Sequence, residues 1–448
     1  MPHKTQALTL AAMSLGFGVV QLDVTIVNTA LTTIGSGLQA DTAALQWVVN
    51  AYTIGLAAFI LTAGALGDRI GAKRVFIAGF ALFTAASVGC ALAPSLGALI
   101  AARGIQGVGA AVLVPNSLAL LNHAYADPAE RGRAVGFWAA GASVALTAGP
   151  LAGGLLIHFS NWRAIFLVNL PIGLVGLFLT WRYAEETPPK QNRRLDLPGQ
   201  AFAMLALGLL AASIIEGGKA GWHSRFVEIA AVLAVILSVA FILQERRYAQ
   251  PMLPLELFSQ RPVWLSVVVG LLVNTAFYGL IFVLSLYFQK QHGLSPLQTG
   301  LAFLPMMAVV LPFNILGPRL SERFGAAAVI ALGAVIAAAG AGALFVIGKQ
   351  TPYVLLCAQF LALGGGLGLL VPPLTSMLLG NVDKARSGIA SGVLNSARQT
   401  GSVIGVALFG TLVAEDATFM AGLKIALGLA VGLLAASAAI AIAARDKR

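Results

Sequence analysis

Charge is what this sequence lacks. Acidic and basic side chains make up 10% of its 448 residues, roughly 40% of the fraction usual for a soluble protein, whereas 58% are hydrophobic. No water-soluble fold could cover that much apolar surface. Cysteine is nearly absent as well: Cys90 and Cys357 both fall inside apolar runs, which argues against a disulfide framework or a thiolate metal site. There is no G-x-x-x-x-G-K-[ST] phosphate loop and no polar segment long enough for an ATPase domain, so direct ATP drive is not expected. Neither H-E-x-x-H nor G-x-S-x-G occurs, and the five histidines fall in loops, span ends or the terminus. No catalytic residue, metal or cofactor is expected, and the chain does not read as an enzyme.

What is present is a succession of apolar runs, each of about 20 residues and long enough to cross a hydrocarbon layer about 30 Å thick as a helix. Glycine, proline and charge clusters punctuate them into fourteen spans near 8–34, 45–65, 75–93, 96–122, 134–158, 163–181, 198–216, 226–243, 263–288, 297–317, 325–347, 353–379, 387–413 and 420–443. The first run is too long for a signal peptide and lacks a small-residue cleavage site, so it is expected to stay in the chain. The result is an all-α integral membrane protein.

The net charge of +11 is distributed by side. With a cytoplasmic N-terminus, the inside connections hold Lys4; Arg69, Lys73 and Arg74; Arg131 and Arg133; Arg182, Lys190, Arg193 and Arg194; Arg246, Arg247 and Arg261; Arg319 and Arg323; Lys384 and Arg386; and Arg445, Lys447 and Arg448. The outside connections hold only Arg163, Lys219, Arg225, Lys290 and Lys349, with Lys424 at a span edge. That bias predicts both termini in the cytoplasm. It also accounts for the basic balance without a nucleic-acid partner.

The chain repeats itself. "LGDRIG" (66–71) returns as "LSERFG" (320–325), an offset of 254, and "GVGAAVLVP" (107–115) returns as "GGGLGLLVP" (364–372), an offset of 257. Six spans need less than that offset, so two further helices fit between the repeats. The expected organisation is an N-terminal six-helix bundle over 1–190, an extra helix pair over 191–250 and a C-terminal six-helix bundle over 251–448. Two such bundles related by an axis along the membrane normal form a transporter architecture with its substrate site near mid-membrane.

A few polar residues interrupt the apolar spans. Asp23, in "QLDVTIVNTAL" (21–31), is the one acid placed deep in a span; Arg103 and Arg398 are the deep bases. A charge at mid-helix costs about 2.5–3.5 kcal/mol on an insertion scale and marks an ion or substrate path or a packed interior. At 1.5 Å per residue, Asp23 and Arg103 lie about 22 and 28 Å from the same edge, depths compatible with contact. Two readings stand: a static ion pair joining two helices, or a proton switch in which separating the pair favours protonation. On a helical wheel Gln21, Thr25, Asn28 and Thr32 share one face and Asp23 points away from it. That face is expected to line the cavity, as are Trp47, Asn50, Asn274, Tyr278, Asn395, Arg398 and Gln399; interhelical hydrogen bonding is the alternative for the polar stripes, and packing or interface anchoring for the aromatic rings.

The motifs resemble the major facilitator superfamily. "GALGDRIGAKR" (64–74) is similar to its loop signature, "RGIQGVGAA" (103–111) to its fourth-helix signature and "GPLAGG" (149–154) to its antiporter signature. "LDVTIVNTAL" (22–31), "NWRAIFLVNLPIG" (161–173) and "GIASGVLNSARQTGSVIG" (388–405) resemble its fourteen-span drug/proton antiporters. The resemblance implies the major facilitator fold, with two pseudo-symmetric six-helix bundles plus two extra helices. It favours the proton switch for Asp23 and Arg103. It assigns gating to Gly64, Asp68, Arg69, Gly71 and Arg74, with Asp68 pairing with a base or capping a helix, and to Gly149, Pro150, Gly153 and Gly154, whose proline bends the helix and whose glycines permit close packing. Some members that handle divalent cations carry an acid in the tenth span; "PLQTGLAFLPMMAVVLPFNILGP" (296–318) has none.

The expected function is proton-coupled export of amphiphilic, cationic or neutral compounds across the inner membrane by a monomer, the partners being a small-molecule substrate, protons and the lipid bilayer. The alternative is export of an endogenous anionic or zwitterionic metabolite, lipid or siderophore, for which Arg398 is the clue. A non-transporting sensor or scaffold is the third.

Overall fold

A computed structural model describes residues 3–189, 195–348, 351–383 and 386–443. Lys190, Arg193, Arg194, Lys349, Lys384, Arg445, Lys447 and Arg448 of the charge pattern, and the expected boundary at 190/191, lie outside the described residues. Among these residues there is no strand. The helices are α1 (His3–Leu38), α2 (Thr42–Ile70), α3 (Ala72–Leu92), α4 (Leu96–Ala124), α5 (Pro128–Phe159), α6 (Ala164–Leu167), α7 (Asn169–Tyr183), α8 (Leu197–Ala220), α9 (Arg225–Arg247), α10 (Arg261–Leu286), α11 (Pro296–Phe324), α12 (Ala326–Ala343), α13 (Tyr353–Gly380), α14 (Ser387–Leu412) and α15 (Phe419–Ala443). Counting α6 and α7 as one broken span, thirteen among the described residues are long and apolar enough to cross a membrane. The 26-residue α14 has the length, but Ser391, Asn395, Arg398 and Gln399 make it more polar than the rest.

Helix starts are set by side-chain caps that satisfy otherwise orphaned N–H groups. Asp41 accepts from Ala44 N–H, Ser95 from Ala98 N–H, and Ser295 and Gln298 form a reciprocal capping box. A π-helical turn over Tyr287–Gln291 extends α10.

The repeat is visible in the packing. α2 lies against α4, and α3 against α4; α11 lies against α13, and α12 against α13. A Cβ on Gly107 would stand 2.1 Å from the Tyr52 carbonyl oxygen, and one on Gly364 would stand 2.1 Å from the Met306 carbonyl oxygen. Both members of that contact recur at the sequence offsets, so glycine at these positions lets backbone meet backbone in each half. The halves meet through α5 with α11 and α2 with α14, while α8 packs on both α2 and α14 and carries α9 on its outer side.

Candidate functional site

Asp23 reaches across from α1 to α4. Its Oδ2 accepts from Arg103 Nη1, and its Oδ1 accepts from Gln106 Nε2 at 2.8 Å and Asn169 Nδ2 at 3.1 Å. Arg103 also donates from Nε to the Val48 carbonyl at 3.1 Å and from Nη1 to Gln106 Oε1 at 2.7 Å, and its guanidinium lies 4.3 Å from the centre of the Tyr52 ring. Ser87 closes the network by accepting from Gln106 at 2.7 Å and Asn169 at 3.2 Å. The node therefore binds α1, α2, α3, α4 and α7 together. Asp23 is 0% exposed and Arg103 1%, so neither charge reaches water or lipid. Burying such a pair carries a desolvation cost that only good geometry and additional hydrogen bonds can offset, and these donors supply them. Asn169 Oδ1 is a buried acceptor without a partner.

Sequence reasoning missed Gln106, Ser87 and Asn169. Gln106 follows Arg103 by three residues and so shares its face, and Asn169 interrupts the apolar part of "NWRAIFLVNLPIG"; either signal was readable. Ser87 carries none.

A second feature lies on the other side of α1. A cavity of about 50 Å³ between the halves is lined by Gln21, Asn274, Tyr278, Asn395, Arg398 and Gln399, with apolar side chains from α1, α2 and α4 completing its wall. It has room for a water or two, against roughly 300–1,000 Å³ for small-molecule sites, so the halves must part before a drug-sized molecule fits. Asn274 and Asn395 donate back to their own helices, to Gly270 and Ser391 carbonyls at 2.8 and 3.0 Å. Gln399 Oε1 is a buried acceptor without a partner. Arg398 is the one charged residue in the lining, and among the described residues no acid pairs with it.

Five expected cavity residues sit elsewhere, Thr32 among them, bonded to Gln289. Thr25 donates to the Leu146 carbonyl of α5 at 3.0 Å, because Gly149 brings α5 against it: a Cβ there would stand 2.0 Å from Thr25 Oγ1. Asn28 folds back onto the Val24 carbonyl while its own carbonyl accepts from Ser285 of α10. Trp47 turns to the extra pair, donating to Glu216 of α8 at 3.3 Å. Asn50 is fully buried, and neither of its amide atoms has a partner.

At the end of the bundle remote from the termini, hydrogen bonds bridge the halves. Thr32 donates to Gln289, Ser285 to the Asn28 carbonyl, and Gln46 to the Ala407 carbonyl at 3.4 Å. The glycine motif of α5 works on two sides: Gly149 and Gly153 press on Thr25 and Thr29 of α1, while a Cβ on Gly154 would meet Leu297 Cα of α11 at 2.6 Å. At the termini end, the loop motif is held by the segment after α7. Glu186 accepts from Lys73 and Arg74 N–H at 2.8 and 3.1 Å, and Thr187 Oγ1 from Ala72 N–H at 2.8 Å. Glu186 and Thr187 thus cap the start of α3. Gly71 has φ +102°, and a Cβ would strike the Glu186 carboxylate at 2.5 Å, so no other residue fits well. Gly64 is less constrained, its nearest neighbour being Pro115 Cβ at 3.6 Å. Arg69 is exposed, and Arg74, 79% exposed, lies 3.7 Å from Glu186, a pair of small energetic weight.

Comparison with known proteins places this geometry. The family model described as Major Facilitator Superfamily matches residues 13–406. A methylenomycin A resistance protein of Bacillus subtilis is 37% identical over 414 residues, covering 92% of this chain and 89% of that one. The multidrug resistance protein Stp of Mycobacterium tuberculosis is 38% identical over 412 residues, covering 92% and 76%. The crystal structure of a peptide transporter, POT, in complex with sulfate superposes with a TM-score of 0.73 at 16% identity, covering 98% of this chain and 94% of that one.

Proposed function

The chain belongs to the major facilitator superfamily, and we propose that it is a proton-coupled exporter of amphiphilic drugs or toxic compounds working by alternating access in the inner membrane. The carrying observation is that α1 holds Gln21 in the cavity and Asp23 in the dry node. Ionised Asp23 engages three side-chain donors, from Arg103, Gln106 and Asn169. Adding a proton removes acceptor capacity from it, loosens α1 from α4 and α7, and lets the cavity face of α1 move. The ligand and the proton then bias one two-state element from opposite faces. Residues 1–190 and 251–448 serve as the moving halves, 191–250 as an accessory pair, and both termini face the cytoplasm. One chain supplies the cavity and the node, so a monomer suffices.

Arg398 supports one substrate class over another. As the cavity's one charged residue, it disfavours the cationic compounds expected from the sequence and favours neutral compounds or those bearing an acidic group. Export of an anionic or zwitterionic metabolite is the second reading. The test is flux in proteoliposomes under an imposed pH gradient, with cationic, neutral and anionic amphiphiles in parallel. Gradient-dependent movement of neutral and acidic compounds is expected; movement of acidic metabolites alone selects the second reading. No gradient-dependent flux in any class contradicts both and leaves a sensor or scaffold.

A further inference from the structure

Two carboxylates outside the transport core are buried together. Asp196 caps α8 and Glu245 lies near the end of α9, 1% and 3% exposed. Each acid uses one oxygen. Asp196 Oδ1 accepts from Gly199 N–H at 2.9 Å and Gln244 Nε2 at 3.0 Å, and Glu245 Oε2 accepts from Leu253 N–H at 2.9 Å. The other two, Asp196 Oδ2 and Glu245 Oε1, are buried without a hydrogen-bond partner. Both converge on Gly199, lying 2.7 and 3.0 Å from the position a Cβ would take there. Two carboxylates can only accept, so they cannot satisfy each other; a carboxylic acid and a carboxylate can.

Among the described residues, which do not include Lys190, Arg193 and Arg194, no cation compensates the pair. Arg246 and Arg247 on α9 and Arg69 at the end of α2 are exposed, Tyr248 donates to the Leu195 carbonyl, and Glu256 in the connecting segment pairs with Arg386. Among the described residues neither Asp196 nor Glu245 forms an ion pair.

We infer that Asp196 and Glu245 form a proton-binding site in the extra helix pair, holding one proton between Asp196 Oδ2 and Glu245 Oε1. The proton supplies the missing donor, satisfies both orphaned oxygens and leaves one negative charge on the pair in place of two. The site is separate from the Asp23 node. Thr62 of α2 donates to Gln200 of α8 and lies 2.9 Å from Met252 Sδ, while Glu245 holds Leu253. Losing the proton sets two like charges against each other at this junction and loosens the hold of the extra pair on the segment leading into α10. The pair is thereby a sensor of pH at the termini end of the bundle.

Infrared titration of the full chain in lipid tests this independently of transport. The wild type should show a protonated-carboxyl stretch at neutral pH that disappears as pH rises. Glu245→Gln and Asp196→Asn should each abolish it, the new amide supplying the donor the proton gave, whereas Asp23→Asn should keep it. Gly199→Ala retains both acids and puts a methyl within 3.0 Å of both free oxygens, so it should shift the band even if the other variants fail to accumulate. No band at neutral pH, a band surviving in both acid variants, or one unmoved by Gly199→Ala overturns the site. So does loss of the band on adding sodium, potassium or magnesium at constant pH, which would make it a metal-cation site.

Discussion

Arg103 in α4 and Phe360 in α13 occupy the same place in the repeat, 257 residues apart, and are 1% and 0% exposed. Around Arg103 gather Asp23, Gln106 and Tyr52. Around Phe360 gather the rings of Phe288 and Phe303, with centroids at 6.0 and 6.1 Å. The same helix packing is thus served by a charged network in one half and an aromatic cluster in the other. Because the architecture accepts an apolar filling here, the charge is not required for packing. A buried pair is often no more stabilising than well-packed apolar residues, so its presence in one half only is best explained by a task.

Substitutions on both sides separate the charged filling from the aromatic one. The largest effect is expected for Arg103→Ala, which leaves Asp23 buried without its countercharge and should cost about 3–5 kcal/mol, read as thermal unfolding in detergent. Asp23→Asn comes next: it also leaves Arg103 without its countercharge but keeps an amide oxygen to accept from it, should cost about 1.5–3 kcal/mol, and should bring pH-driven transport down to the level of protein-free vesicles. Normal coupled export by this variant would reduce the node to a structural pair. Gly154→Val forces a side chain against the α11 backbone, should cost about 1–3 kcal/mol, and should open the remote end. Faster labelling of a cysteine placed at Thr32 by a membrane-impermeant maleimide would report that opening. In the aromatic cluster, Phe360→Leu should cost less than about 1.5 kcal/mol and leave the pH dependence of transport unchanged.

The smallest effect is expected at the half-exposed Lys219–Asp41 pair, 2.9 Å apart, which ties α8 to the start of α2. Burial pushes the Asp41 carboxyl up, but the hydrogen bonds from Lys219 and the Ala44 N–H outweigh it and hold it below the ordinary carboxylate range. Its contribution is therefore full above about pH 4 and lost as pH falls through the lowered value. Lys219→Ala should cost less than about 1 kcal/mol at neutral pH and less still in acid, measured by unfolding across that range.

What the sequence revealed depended on whether a residue's role was carried by its own helix. The apolar runs and the repeat disclose the architecture, because span length and glycine spacing are local. Asp23 and Arg103 stand out because a charge in an apolar run needs a reason. Thr25 and Trp47 do not reveal their direction: a polar stripe specifies a protected face, not whether α5, α8 or the cavity protects it. The extra pair shows the limit most clearly. Glu245 falls just past the apolar run read for the eighth span, yet α9 continues to Arg247 and buries it, because Asp196, 49 positions earlier, and the Leu253 amide enclose it.

The proposed role of Asp23 is to take and give up the transported proton. It is tested most directly by adding a transported compound to purified protein in weakly buffered detergent and following pH with an indicator dye. The wild type should release protons, and Asp23→Asn that still binds the compound should release none. Equal release by both proteins would contradict it.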